Sequence, residues 1–187
     1  MRPQITAATS KAFYIVVDFE ATCWDDTGRR GDNEIIEIGC VRVRRRDGAV
    51  DDVFETLVQP TRYPVLSNLC RVVTGIDQAD IDTAPRFPQA YRRMREWIGD
   101  PHAHAFASWG AYDRFLLRST CAFHRLPFPF DDEYINIKPA FVDRFMGRGV
   151  SMEQALAIVG APPTMVRHRA LSDARSAAIL LREVLFG

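Results

Sequence analysis

Residues 13–19 (FYIVVDF) constrain the fold of this chain more than any other segment. The segment is almost wholly apolar and rich in β-branched and aromatic side chains, which is typical of a strand covered on both faces. It therefore predicts a central strand of a sheet. Two carboxylates, Asp18 and Glu20, lie where this strand leaves the core.

Two further strands are predicted directly after this one. Residues 34–43 and 53–58 have strand-like composition and flank the pair Asp47-Gly48, which is typical of a β-hairpin. Three successive strands joined in this way predict an antiparallel meander.

The rest of the chain alternates between helical and strand-like patterns. Helices are predicted at 66–73, 87–98, 112–123, 140–146, 151–160 and 170–186, and short strands at 103–108 and 134–137. In helix 112–123 one face is predicted to carry Phe115, Leu116, Ser119, Ala122 and Phe123. The order predicts an α/β fold, a ribonuclease-H-like mixed sheet in which an antiparallel three-strand meander is extended by parallel strands and flanked by helices.

Composition limits the protein to ordinary globular classes. The chain has 187 residues, 47% of them hydrophobic and 26% charged, which suits one domain. We expect a flexible N-terminal segment at 1–12 and a single domain at 13–187. No apolar run approaches the roughly 20 residues of a membrane helix and there is no secretory signal pattern, so a cytoplasmic location is expected.

Cysteine spacing and net charge exclude few classes of protein function. The four cysteines have no paired spacing and are expected to be buried free thiols. The formal net charge of zero argues weakly against a large non-specific nucleic-acid binder. It argues little against an enzyme that binds one end of a nucleic-acid strand, because bound metal ions supply local positive charge.

Asp18 and Glu20 are two residues apart on the first strand, so both side chains leave the same face of the sheet. Two ionised carboxylates at the end of a buried strand repel each other and lose hydration. A shared divalent metal would compensate them. Hydrogen bonds from backbone donors are the alternative, and the run IVVDFEATC favours the metal.

Three more candidate residues lie in the second half of the chain. Asp113 follows Ser108-Trp109-Gly110 at a strand-to-helix junction, which faces the ligand crevice in α/β sheets. A favourable place on the helix dipole is the alternative role for Asp113. Asp173 lies in the first turn of the last helix, and His168 lies in the loop before it.

Four carboxylates and one histidine are the usual set of a two-metal nuclease. Ligation by oxygen without cysteine indicates Mg²⁺ or Mn²⁺ rather than zinc. Two such ions stabilise the attacking and leaving oxygens of a displacement at phosphorus, and a histidine is suited to take a proton from the attacking water. The pattern predicts phosphodiester hydrolysis.

The motifs resemble those of the DEDDh 3′-5′ exonucleases (DnaQ-like). The runs FEATC, NEIIEIG, LVQP, LSNLCRVVTGI, SWGAYD, YINIK and HRALSDA are similar to the 3′ histone-mRNA and enhanced-RNAi exoribonuclease type and its bacterial relatives. The resemblance covers the chain from Tyr14 onward. Eukaryotic members carry an additional N-terminal nucleic-acid-binding domain, so stem-loop recognition is not carried over to this chain.

The resemblance implies a role for each candidate. It implies catalytic roles for Asp18, Glu20, Asp113, His168 and Asp173. Asp18, Glu20 and Asp173 would hold the first metal, Asp18 would bridge to the second, and Asp113 would act on the second ion. His168 would be the general base.

The resemblance also implies a pocket for a 3′-terminal nucleotide. Residues assigned to substrate binding are Ala21, Thr22, Glu37, Leu69, Val73, Thr74, Gly75 and Trp109. Ordinary helix core is the alternative for Leu69 and Val73, and a buried strand-end aromatic is the alternative for Trp109. Arg29 and Arg30, in a polar stretch at 24–33, are further candidates for phosphate contacts, with a solvated loop as the alternative.

The expected substrate is single-stranded nucleic acid with a free 3′ end, from which nucleoside 5′-monophosphates are released. The preference for RNA over DNA comes from the resemblance alone. A DNA-directed proofreading-type exonuclease and a non-catalytic nucleic-acid-binding module remain alternatives. A partner protein for targeting is a further expectation.

Overall fold

A computed structural model describes residues 11–25, 32–146, 149–164, 166 and 168–187. The strands are β1 (Phe13–Ala21), β2 (Ile35–Arg44), β3 (Val50–Leu57), β4 (His104–Ser108) and β5 (Tyr134–Asn136). The helices are α1 (Asn68–Thr74), α2 (Gln78–Thr83), α3 (Phe87–Ile98), α4 (Tyr112–Phe123), α5 (Ile137–Phe141), α6 (Met152–Ile158) and α7 (Ala170–Phe186). Within these residues no helix is long and apolar enough to cross a membrane.

The strands form one five-stranded mixed sheet in the order β3-β2-β1-β4-β5. β1, β2 and β3 pair antiparallel, and β4 and β5 extend the sheet as parallel strands. This is the predicted ribonuclease-H-like α/β arrangement, so the predicted fold class is confirmed.

β1 lies at the centre because its side chains supply two hydrophobic cores at once. Tyr14 and Val16 belong to a core that includes α7, while Ile15, Val17 and Phe19 belong to a core that includes α3 and α4. Alternate residues of a strand point to opposite faces. The apolar run therefore covers both faces, as the sequence predicted.

The hairpin between β2 and β3 turns at the predicted dipeptide. Gly48 has φ +68°, a left-handed conformation that few residues other than glycine adopt, and its N–H donates to the carbonyl of Arg44 at 2.9 Å. The turn fixes the register in which Gly39 of β2 faces Asp18 of β1 and Glu37 faces Glu20.

Ordered packing begins two residues before the predicted domain start. Ala12 donates its N–H to the carbonyl of Ala103 at 3.0 Å, and the Lys11 ammonium donates to the carbonyl of His104 at 2.9 Å and pairs with Asp131. The remainder of the predicted flexible segment, residues 1–10, lies outside the described residues.

Helix α4 has the predicted bounds but buries a different face. The prediction placed Phe115, Leu116 and Phe123 on one apolar face, whereas the structure buries Leu116, Leu117 and Cys121 and leaves Phe115 and Phe123 63% and 52% exposed. Only Leu116 of the predicted apolar face is buried. Two large aromatic rings of α4 therefore face solvent.

Candidate active site

Asp18 and Glu20 lie on the face of β1 that packs against α7. Their cross-strand neighbours on β2 are Gly39 and Glu37, and cross-strand neighbours share a face. Phe19, between the two acids, points into the opposite core. The β1–β2 register shifts immediately after Glu20, so the chain leaves the sheet directly beyond the two carboxylates.

Asp113 joins the two carboxylates of β1 from the first turn of α4. Its side chain is 8% exposed, and its Oδ1 accepts the backbone N–H of Phe19 at 3.3 Å. The chain following β4 places the N-terminus of α4 beside β1, because β4 runs parallel to β1. Asp113 is thereby fixed next to Asp18 and Glu20.

His168 and Asp173 reach the same edge from the N-terminus of α7. The His168 backbone N–H donates to Asp173 Oδ2 at 3.0 Å, and His168 has φ +56°, a left-handed conformation that is uncommon for a residue with a side chain. Ligand atoms of Glu20, His168 and Asp173 all lie within 4.8 Å of one another. The structure thus brings the five predicted residues together from three elements distant in sequence.

The crowding of carboxylates governs the electrostatics of this site. Burial, followed by the charges of Asp113, Asp173, Glu20 and Glu37, raises the pKa of Asp18 well above its ordinary value. Uncompensated negative charge in a buried cluster is costly, so the site favours either protons or a cation.

Glu20 and Asp113 behave in the same way. Burial, with the charge of Asp173 second, raises the pKa of Glu20 to about 8, although Arg169 opposes the shift. Burial raises the pKa of Asp113 to about 7, while the N–H groups of Phe19 and of Asp113 itself act in the opposite direction.

Glu37 and Arg169 anchor the start of α7 to the sheet. Arg169 Nη2 and Nε donate to Glu37 Oε1 at 2.7 and 3.0 Å, and the N–H of Ala170 donates to Glu37 Oε2 at 2.8 Å. The Glu37 side chain has no exposed surface. Both of its oxygens are thus engaged within the protein, and the substrate contact expected of Glu37 stays a prediction.

Gly39 allows this anchor to form. A Cβ atom on Gly39 would lie closer than 3.0 Å to backbone atoms of Ala170 and Leu171, so the backbone of α7 rests directly on β2. No role was predicted for Gly39 or Arg169 from the sequence. A glycine inside a strand pattern and an arginine next to His168 were the available signals.

The residues predicted to bind a 3′-terminal nucleotide divide into two groups. Thr22 and Thr74 are buried and bonded internally: Thr22 Oγ1 accepts the Glu34 N–H at 2.9 Å, and the Thr74 hydroxyl donates to the carbonyl of Cys70 at 2.8 Å. For these two threonines the geometry therefore favours a structural role.

The second group retains accessible surface. Ala21, Leu69 and Trp109 are half-buried, Val73 is 37% exposed, and Gly75 ends α1 with φ +66°. Trp109 packs edge-on against Phe141 with ring centroids 6.0 Å apart. Arg29 and Arg30, also predicted, lie outside the described residues.

All of the five candidate catalytic residues fall within a match to a known protein family. The family model described as an exonuclease, RNase_T, matches residues 15–181. The chain belongs to this exonuclease family.

Similar proteins agree with this assignment. The chain is 30% identical over 174 residues to "Probable 3'-5' exonuclease KapD" of Bacillus subtilis (strain 168), with 91% of this chain and 83% of KapD covered. It is 28% identical to human ERI1 exoribonuclease 2 over 90% of this chain, but spans only 28% of that protein's length.

A solved structure shares the whole fold. The nuclease domain of 3'hExo, a DEDDh family member crystallised with rAMP, is 27% identical, with a TM-score of 0.84. The similarity covers 95% of this chain and 94% of that domain.

The donor set of this exonuclease fits divalent metal ions. The clustered carboxylates supply hard oxygen ligands, and a cation among them would offset the burial and mutual repulsion that raise the pKa values of Asp18, Glu20 and Asp113. Arg169 is engaged by Glu37 and so compensates the cluster only in part.

We expect the metal-free exonuclease to lose stability as the pH rises from about 4.5 to about 8. Glu20 and Asp113 keep their protons up to pKa values of about 8 and about 7 when folded, but lose them near their ordinary values when unfolded. The folded state binds more protons across this window, so its stability is greatest below the window and declines through it. Melting temperatures in chelator at several pH values measure this.

Addition of Mn²⁺ should reverse the trend, because metal binding requires deprotonated ligands and stabilises only the folded state. Glu20→Gln should make the pH dependence in chelator shallower. A metal-free melting temperature that stays constant or rises across the window would contradict the electrostatic account.

Proposed function

We propose that this chain is a metal-dependent 3′-5′ exonuclease that acts on single-stranded 3′ ends, prefers RNA and releases nucleoside 5′-monophosphates. The observation that carries the proposal is the convergence of Asp18, Glu20, Asp113, His168 and Asp173 at one edge of the sheet. The similarity to the nuclease domain of 3'hExo supports the same chemistry.

The four carboxylates would hold two divalent ions, Mg²⁺ or Mn²⁺. Asp18, Glu20 and Asp173 would bind the first, and Asp18 with Asp113 the second. Such a pair of ions supplies positive charge for the attacking and leaving oxygens at phosphorus. Asp18, whose pKa is raised by the charges of Asp113, Asp173, Glu20 and Glu37 as well as by burial, would be the acid that bridges both.

His168 would serve as the general base that accepts a proton from the attacking water. Its side chain is exposed, so it can approach a substrate bound over the carboxylates. Its backbone is tied to Asp173, and the Arg169–Glu37 anchor fixes the next residue. The base is therefore accessible but held at a defined place, which suits proton transfer.

The 3′-terminal nucleotide would lie between the end of β1 and α1. Ala21, Leu69, Val73, Gly75 and Trp109 retain the accessible surface needed for this contact. The buried residues Thr22, Glu37 and Thr74 would support the pocket from behind, through the hydrogen bonds that fix β2, α1 and α7.

The RNA preference is supported by the relatives alone. The names ERI1 exoribonuclease 2 and ERI1 exoribonuclease 3 specify RNA, and the 3'hExo nuclease domain is described as bound to rAMP. A cytoplasmic location and a partner protein for targeting complete the proposal.

The proposal is tested by matched digestion of 5′-labelled single-stranded RNA and DNA with Mn²⁺, Mg²⁺ or chelator. We expect a metal-dependent ladder that shortens from the 3′ end and proceeds faster on RNA. His168→Ala serves as the control for contaminating nuclease and should slow the reaction about 10²–10⁴-fold. Faster loss of DNA would indicate a DNA-directed, proofreading-type exonuclease instead. If neither strand shortens in a metal-dependent way, the chain would be a non-catalytic nucleic-acid-binding module.

A further inference from the structure

A row of exposed aromatic rings runs along α4 away from the candidate active site. Tyr112, next to Asp113, is 51% exposed, and Phe115 and Phe123 are 63% and 52% exposed. Positions 112, 115 and 123 fall within one side of a helix with 3.6 residues per turn. Large apolar side chains grouped in this way are typical of binding surfaces, so the row is a candidate docking surface.

The far end of the row meets two cavities that share His124. One of about 140 Å³ is lined by Asn33, Glu34, Arg62, Ser119, Thr120, Phe123 and His124. The other, of about 420 Å³, is lined by Thr61, Arg86, Pro88, Gln89, Arg92 and His124, so it has no acidic side chain in its wall. His124 stacks on Phe87 with ring centroids 5.2 Å apart and so forms a fixed wall between the two cavities.

The net charge of this region is positive. Glu34, the acid in the smaller cavity, accepts the backbone N–H groups of Thr61, Arg62 and Tyr63 at 2.8, 2.8 and 3.0 Å, which offsets its charge. Among the described residues no carboxylate lies within 4 Å of the Arg86 or Arg92 guanidinium groups. These two arginines are therefore available to an anionic partner.

The region is continuous with the candidate active site on two sides. Asn33, in the wall of the smaller cavity, donates its side-chain N–H to the carbonyl of Thr22, two residues beyond Glu20. Along α4, Tyr112 and Phe123 are eleven residues apart, which is about 16 Å at 1.5 Å per residue. At about 3.4 Å per stacked nucleotide this length accommodates about five nucleotides.

We propose that the exposed face of α4 and the Arg86–Arg92 cavity form a track for the single-stranded RNA that lies on the 5′ side of the cleaved nucleotide. Aromatic rings stack on bases without regard to sequence, and arginines bind the phosphates between them. This combination is the usual composition of a single-strand binding groove. The inference rests on the proposed function and adds the path of the substrate to it.

The track is tested by the length dependence of binding. Fluorescence anisotropy would be measured for a 5′-labelled RNA 12-mer and a trimer, in Ca²⁺ to limit cleavage. We expect Phe123→Ala, and separately the double variant Arg86→Glu/Arg92→Glu, to raise the Kd of the 12-mer about tenfold and leave the trimer unchanged. Phe123 lies about 16 Å along α4 from Tyr112, beyond the roughly 10 Å that a stacked trimer spans. The double variant should also reduce the slope of log K against log salt by about 1.4, because two phosphate contacts are lost.

Arg93→Glu and Ile158→Ala are the matched controls. Arg93 is exposed on the same helix as Arg92 but does not line the cavity, and Ile158 is an exposed apolar residue on α6. Wild-type Kd values for both test variants would overturn the track. Equal weakening of the trimer, or an equal effect of Arg93→Glu, would also overturn it. Binding is measured apart from cleavage, so length-dependent binding without hydrolysis would instead refute the proposed function.

Discussion

Asp18→Asn is expected to reduce exonuclease activity by at least about 10³-fold while leaving the protein folded. Asp18 is the carboxylate surrounded by Asp113, Asp173, Glu20 and Glu37, so its loss removes the ligand shared by both proposed ions. Metal ions contribute several kcal/mol to such reactions, and each 1.36 kcal/mol changes the rate tenfold. Initial rates on a labelled RNA in saturating Mn²⁺ measure the effect.

The melting temperature of the Asp18→Asn variant distinguishes a loss of catalysis from a loss of the folded structure. Asparagine has the shape of a protonated aspartate, and the raised pKa of Asp18 means that the metal-free site already tolerates the neutral form. The variant should therefore melt in chelator at the wild-type temperature or above it. Its response to Mn²⁺ should be weaker, because one ligand is missing.

Asp132→Asn provides the comparison for this variant. Asp132 is fully exposed and contacts only the Arg118 guanidinium, at 3.5 Å, among the charged groups described. It should retain wild-type activity and Mn²⁺ response. An Asp18→Asn protein that unfolds, or that cleaves RNA at the wild-type rate, would contradict the assigned role of Asp18.

The fold was largely predictable because its main elements have strong local patterns. α3, α4 and α7 have the predicted bounds, and β1 covers both cores as its apolar run indicated. α2 was missed because QADIDT is mostly polar and buries only Ile81. A short helix of this kind is stabilised by tertiary contacts, so the hydrophobic periodicity of its sequence does not predict it.

The exposed face of α4 shows why burial was harder to predict than helicity. Phe115 and Phe123 match an apolar helical stripe, but Leu116, Leu117 and Cys121 fill the core instead. Hydrophobic spacing alone cannot distinguish a core face from a face that binds a partner. The structure resolves the ambiguity because β1 and β2 lie on one side of the helix only.

The residue types of the candidate site were predictable from the sequence, but the ion pair and hydrogen bonds that hold these residues in place were not. Carboxylates and a histidine in three motifs could be recognised from chemistry and resemblance, whereas the partner of Glu37 is Arg169, 132 residues away. The resemblance therefore assigned Glu37 to substrate binding without indicating its ion pair with Arg169. The buried ion pair could be identified only once β2 and α7 were placed together.

Gly39→Ala is expected to damage both stability and catalysis. The new Cβ would lie closer than 3.0 Å to backbone atoms of Ala170 and Leu171, which no side-chain rotation can relieve. Overpacking against backbone costs about 3 kcal/mol, which corresponds to a fall in melting temperature of about 6–12 °C for a domain of this size. Thermal unfolding in chelator measures this loss.

The same substitution should move the catalytic groups that α7 carries. Displacing Ala170 strains the bonds from Arg169 and Ala170 to Glu37, and these bonds fix two residues that lie between the candidate base His168 and the candidate metal ligand Asp173. A misplacement of about 1 Å can reduce a rate about 10²-fold, so we expect a loss of that order at a temperature where the variant is folded. Gly149→Ala, where a Cβ meets no atom within 4 Å, should leave both properties unchanged. If Gly39→Ala keeps the wild-type melting temperature and rate, α7 is free to shift on β2, and the anchor does not determine the geometry of the site.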